Sequence, residues 1–151
     1  MNLKLRPIQD PEEARGLLPL LERGARETSS PYLHQDFSRA EAEGFLERCL
    51  GREETLLLVA ESEGEVQALA VSAPFEDPLS GHSLPMLVVL FVDPALRHRG
   101  VARALVKELR RLLAQRGLDV LLARAEHNDD ALISMGERWG LVRTWEVMSS
   151  E

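Results

Sequence analysis

A chain of 151 residues, 44% hydrophobic and 28% charged, has the composition of an ordinary globular protein and the length for one domain with a real core. Its formal net charge of -7 argues against nucleic acid as the main partner, and no apolar run approaches the ~18 residues of a membrane span. A single cysteine, Cys49, excludes an internal disulfide; with no apolar stretch in MNLKLRPIQD, the expectation is a cytoplasmic protein in a reducing compartment.

In chain order, Leu3 to Ile8 alternates as a strand does. Asp10-Pro11-Glu12-Glu13 starts a helix, with a capping side chain, a proline in the first turn and acids at the positive end of the dipole. Pro19 is expected to kink or divide that helix. Ser29 to Tyr32 reads as loop. Ser38 and Glu41 have the spacing of a capping box for the next helix, which Gly51 should end and in which Cys49 reads as a small core residue. TLLLVAE and EVQALAVSA flank Ser62-Glu63-Gly64, a hairpin pattern. Pro74 to Pro85, polar and with three prolines, reads as a long loop. Met86 to Val92 is apolar throughout, as in a strand covered on both faces. A helix follows, with apolar residues at Ala102, Leu105, Val106, Leu109, Leu112 and Leu113, closed by Gly117. LDVLLARAE reads as a strand, Asn128-Asp129-Asp130 as the cap of a short helix ending at Gly140, and LVRTWEVM as a last strand, with Trp139 and Trp145 in the core. The predicted order is β-α-α-β-β-β-α-β-α-β in one domain over residues 1–151: an α/β (α+β) fold with a mixed sheet and helices on both faces.

The junction between the apolar strand and the helix after it carries the chemistry. In FVDPALRHRGVARAL, Arg97, Arg99 and Arg103 crowd a helix start at Gly100. The first amides of a helix have no internal partner, and the dipole favours an anion there. Arginines add charge-assisted hydrogen bonds of about 1.5–3 kcal/mol each. The pattern suits a phosphate or pyrophosphate; the plain alternative is a helix entry with solvated arginines. The triphosphate loop would need a terminal Lys-Ser/Thr, and the dinucleotide fingerprint more glycines than this turn has.

Arg-x-x-Gly-x-Ala (RHRGVA), two residues after LFVDP, resembles the acetyl-CoA signature of the GNAT N-acyltransferase superfamily, and element order, the Gly64 hairpin, HNDDA and ERWG agree with it. The resemblance implies a mainly antiparallel central sheet splayed at its fourth and fifth strands. It also implies acetyl-CoA, or another acyl-CoA, as cofactor. The pantetheine arm would lie along Leu90, Phe91 and Val92, and the pyrophosphate on Arg97, His98, Arg99, Gly100, Val101, Ala102 and Arg103. The Val92 amide would act as oxyanion donor. Asn128 is the implied cofactor-touching asparagine by its spacing to Ala131, although Asp129 fits by its spacing to Gly140.

The family's usual catalytic side chains are missing. The slot of its tyrosine acid is Gly136, and the positions of its common glutamate bases fall near Met86 and Ala123. His127 is the substitute base suggested by strand parity. Tyr32, His34, Glu76 and His82 fall where family members line the acceptor pocket; each is otherwise an ordinary solvated loop residue. The resemblance thus implies acetyl transfer to a small-molecule or peptide amine without a metal, or alternatively an acyl-CoA-binding partner domain without turnover. With one terminal strand in place of the family's two, a homodimer is the expected way to complete the sheet.

Overall fold

The structure, a computed structural model, describes residues 2–27, 37–49, 52 and 54–150. Five strands form one sheet in the order β1-β2-β3-β4-β5: β1 Lys4–Pro7, β2 Leu56–Ser62, β3 Glu65–Glu76, β4 Ser83–Val92 and β5 Leu122–Ala123. All neighbours are antiparallel except β4 and β5, which are parallel and joined by the crossover helix α4, Val101–Gln115. The other helices are α1 Pro11–Arg15, α2 Leu18–Glu27, α3 Arg39–Cys49 and α5 Asp130–Arg138, with a short 3-10 turn at Pro94–Leu96.

Local chemistry sets the helix ends. The Asp10 carboxylate accepts from the Glu12 amide at 3.1 Å and caps α1. Pro19 divides rather than kinks: α1 stops at Arg15 and α2 restarts at Leu18, which leaves Pro19 in a first turn where no N–H is needed. Ser38 accepts from the Glu41 amide at 3.3 Å at the start of α3. The Gly51 stop and the Ser29 to Tyr32 loop lie outside the described residues.

Strand alternation sorts the core into two layers. Val59, Leu69, Val71, Val89 and Phe91 pack with Leu17, Leu21, Ala42 and Leu46 of the first helices and the turn between them. Leu58, Ala68, Ala70 and Val92 pack with Val101, Leu105, Val106, Leu109 and Leu113 of α4. Strand β4 therefore faces helices on both sides, as its unbroken apolar run predicts. Helix α2 sits very close to it: a Cβ on Gly24 would lie 2.7 Å from Val89 Cγ1 and 3.0 Å from Phe91 Cβ. Arg6 ties β1 to β2 and α1 through Glu61 and Glu13; its hydrogen bond holds the Glu61 carboxyl below the usual carboxylate range. Cys49 is half-buried, and burial pushes its thiol up, as suits a packing residue.

Three expectations need correction. Pro74 to Pro85 is not a long loop: β3 runs to Glu76, β4 starts at Ser83, and Pro74 faces Pro85 in the ladder. Both prolines lie beyond the ends of the adjacent strands β2 and β5, where a missing outward N–H costs no ladder bond. Residues 118–126 do not form a full strand, since only Leu122 and Ala123 pair with β4. Residues 141–148 form no strand, and Trp145 is 59% exposed, touching Phe75 at 5.5 Å between ring centroids. Trp139 does pack, half-buried, against the α4 layer.

Candidate functional site

The splay expected between the fourth and fifth strands begins at an identifiable residue. Pairing of β4 with β5 ends at Leu87↔Ala123. Across the sheet the register passes from Val71↔Val89 to Ser72↔Leu87, which leaves Val88 as the extra residue of a bulge in β4. Beyond Leu87 the β5 side of β4 is an open edge among the described residues.

Parity decides which backbone groups face that edge. The Asp93 amide donates to the Gln67 carbonyl at 2.9 Å, so Asp93 and Gln67 form a hydrogen-bonded pair. Phe91↔Leu69 is then also hydrogen-bonded, whereas Val92↔Ala68 and Leu90↔Ala70 are not. Leu90 and Val92 thus direct N–H and C=O toward the open edge, and Phe91 directs its backbone at β3. Of the three strand residues singled out from sequence, two turn their backbone hydrogen-bonding groups to the open edge. Phe91 is 1% exposed and supports the site from the α2 side.

The turn after β4 is held by its own side chains. Asp93 accepts from the Ala95 amide at 2.9 Å and caps the 3-10 turn. His98 has φ 66 and Gly100 φ 81, both left-handed, so the chain reverses sharply before α4. The first helical bond of α4 runs from the Ala104 amide to the Gly100 carbonyl at 3.0 Å. No side chain caps the helix, so the amides of Val101, Ala102 and Arg103 precede its bonding ladder. Gly100 is there for its backbone angle: a Cβ at this position would meet nothing within 4 Å. Arg99 and Arg103 are exposed, and neither has an ion-pair partner among the described residues.

Arg97 behaves differently. Its Nε donates to the Val92 carbonyl at 2.9 Å, and its Nη2 meets both carboxylate oxygens of Glu27 at 2.9 and 2.8 Å. Arg97 and Arg23 also lie over the Phe91 ring, at 5.7 and 4.8 Å from its centroid. Glu27 and Arg23 are missed by sequence reasoning: 70 positions separate Glu27 from Arg97, and no local pattern marks the pair.

The remaining candidates scatter. Asp129, not Asn128, caps α5, accepting from the Leu132 amide at 3.1 Å. Asn128 is exposed with no hydrogen bond among the described residues, beside the equally exposed His127. Glu76 and His82 are exposed at the tip of the β3–β4 hairpin, where the Asp77 amide donates to the His82 carbonyl at 2.8 Å. Hydrogen bonds from Ser80 hold the Asp77 carboxyl below its usual range. Tyr32 and His34 lie outside the described residues. Gly136 is in α5, 3.6 Å from Leu141 by its projected Cβ. A cavity of about 420 Å³ runs along α4 past Lys107, Arg110 and Trp139, sharing only Arg103 with the turn. Among the described residues, no cluster of three or more His, Cys, Asp or Glu could hold a metal ion.

The profile of the acetyltransferase (GNAT) family matches residues 19–140. No curated protein sequence matches the chain. Among solved structures it is similar to AAC(6')-Iy in complex with a bisubstrate analog, CoA-S-monomethyl-acetylneamine (TM-score 0.75, 18% identity, 100% of this chain and 98% of that one). It is similar to aminoglycoside antibiotic 6'-N-acetyltransferase AAC(6')-IG of Acinetobacter haemolyticus (TM-score 0.73, 19% identity, 100% and 97% covered). It is also similar to the ribosomal-protein-alanine N-acetyltransferase of Brucella melitensis biovar Abortus (TM-score 0.68, 16% identity, 99% and 99% covered). At these identities the likeness is one of fold.

Proposed function

Because the chain belongs to the acetyltransferase (GNAT) family, we propose that it is an acetyl-CoA-dependent N-acetyltransferase that moves the acetyl group to a primary amine by direct attack on the thioester. The observation that carries this is the open β4 edge at Leu90 and Val92, which leads directly to an uncapped helix N-terminus. That combination fits acetyl-CoA: a peptide-like pantetheine arm for strand addition, and a pyrophosphate at the right end for the α4 amides.

In this reading Leu90 and Val92 bind the arm, the amides of Val101, Ala102 and Arg103 take the pyrophosphate, and Arg99 and Arg103 add charge. The Val92 N–H faces the thioester carbonyl and stabilises the negative charge that develops on its oxygen as the amine attacks. Acetyl-CoA supplies the acyl group and a thiol leaving group of pKa about 8.5, which departs without strong acid assistance. A missing acid forfeits at most the usual ~10²–10⁴ of general acid catalysis, while orientation and the oxyanion donor remain. His127, beside Asn128 in the turn before α5, is the base proposed for the ammonium proton.

The acceptor is a cationic amine, drawn by the net charge of -7. Two of the similar structures act on or bind aminoglycoside-type amines, and a third carries a ribosomal-protein-alanine activity. A small-molecule amine and a peptide N-terminus are therefore the two classes to assay, with Glu76 and His82 at the hairpin tip and Tyr32 and His34 as contacts. Gly136 in the acid slot favours a second reading, an acyl-CoA-binding domain without turnover. Thiol release from acetyl-CoA across an amine panel separates the two: binding without release on any amine leaves only the second. The exposed Val142, Trp145, Val147 and Met148 support a homodimer that covers them, and light scattering tests it.

A further inference from the structure

We propose that Arg97 is a positioning residue that sets the end of the β4 edge, held in place by Glu27, and not a phosphate ligand; the proposal rests on the acetyl-CoA reading above. Its hydrogen-bonding fork is committed: Nε to the Val92 carbonyl at 2.9 Å, and Nη2 to both Glu27 oxygens at 2.9 and 2.8 Å. To turn this Nε–Nη2 edge to a pyrophosphate it would abandon both partners and leave the Glu27 carboxylate unpaired beside an incoming anion, an electrostatically opposed exchange. Among the described residues, Arg99 and Arg103 carry no such commitment.

The consequence for the edge follows from parity. Val92 points its N–H and C=O to the same open side. With the carbonyl taken by Arg97, the ligand arm finds the N–H and C=O of Leu90 and then only the N–H of Val92. The edge therefore ends on a donor, where the thioester carbonyl must arrive to be polarised. Glu27 is the strut of this arrangement. It is the last residue of α2, the helix that Gly24 lets pack directly on Val89 and Phe91. The end of α2 is thereby tied to the turn that follows β4.

Arg97→Gln and Glu27→Gln, with Arg97→Lys as a second substitution in case the glutamine variant folds poorly, are compared with the full-length wild type. The probes are CoA and acetyl-CoA, read by calorimetry and by the Val92 resonances in NMR. Loss of a charged phosphate contact would weaken CoA binding about 10-fold or more. The proposal expects CoA affinity within about 3-fold of wild type in every variant, well under one such contact. It expects the Val92 carbonyl resonance of the free protein to move in each. It also expects the wild-type difference in the Val92 amide resonance between bound CoA and bound acetyl-CoA to fall by at least half. A 10-fold loss of CoA affinity in Arg97→Gln, or Val92 resonances that ignore the substitutions, overturns it. If the wild type binds no CoA, the acetyl-CoA reading falls and takes the proposal with it; if only the variants break the pattern, the proposal alone falls.

Discussion

Gly24→Ala isolates the contact that brings α2 onto β4. Two effects oppose each other. In a helix interior alanine is favoured over glycine by about 1 kcal/mol. Against this, the new methyl would lie 2.7 Å from Val89 Cγ1 and 3.0 Å from Phe91 Cβ. Neither atom is the free end of a flexible chain, since Val89 is β-branched and 5% exposed and Phe91 is 1% exposed. Overpacking of this kind costs about 1–3 kcal/mol, and the stiffness of both neighbours places the cost in the upper half of that range. The net is a loss of about 1–2 kcal/mol, or a fall of about 2–8 °C in Tm for a domain of this size. Calorimetric unfolding measures it. In a Val89→Ala background, where Cγ1 is gone, the same substitution should cost about 1 kcal/mol less. A Tm that rises in the single variant, or a penalty unchanged in the double variant, would refute the close approach of α2 and β4.

Gly100 is required for its angle and not for space, so Gly100→Asn should unfold near the wild-type temperature, whereas Gly100→Ala should lose about 1–2 kcal/mol; equal losses would mean the left-handed φ of 81 is not what selects glycine. The Glu61 carboxyl is lowered from its ordinary 4.5 by the hydrogen bond from Arg6, so its contribution is complete above pH 4.5 and disappears as the pH falls through the lower folded value. On acidification the Tm advantage of wild type over Glu61→Gln should therefore shrink below pH 4.5, and an advantage that grows there would contradict the sign. The rate on a competent amine should climb toward alkaline pH without a falling limb, as no tyrosine acid has to stay protonated; His127→Ala should lower it about 100-fold if His127 is the base, while a loss under about 3-fold dismisses that role.

Sequence alone reached the parts of this fold that local pattern controls. The α4 stripe, the division of the first helix at Pro19 and the turn at Gly64 each follow from a period or a stereochemical rule acting within a few residues. The splay of the fourth and fifth strands entered through family resemblance, and the structure adds the bulge at Val88, next to the last β4–β5 pair at Leu87. What escaped depends on partners distant in the chain. A stretch such as LDVLLARAE carries strand propensity but not the presence of an edge to pair with: β4 diverges after Leu87, and of these residues only Leu121 is buried. Pro74 and Pro85 suggested a loop because their tolerance depends on where β2 and β5 stop. Trp145 is hydrophobic but emerges on a segment that finds no strand partner. In the candidate site, the arginine count was legible and the assignment of roles was not. Only the structure shows that Arg97 is spent on Val92 and Glu27 while Arg99 and Arg103 remain exposed.

The central claim is that the β4 edge and the α4 N-terminus together hold acetyl-CoA for transfer to an amine. Its most direct test is a titration with acetyl-CoA followed by thermal unfolding and thiol release, with neamine and an alanine-terminated peptide as acceptors. At about 100 times its dissociation constant, a ligand confined to the folded state adds about 2.7 kcal/mol, a rise of roughly 5–10 °C here. That rise is expected, together with thiol release that depends on one of the amines. No rise at saturating acetyl-CoA would contradict it outright, and a rise with no release on any amine would leave a domain that binds acyl-CoA without turning it over.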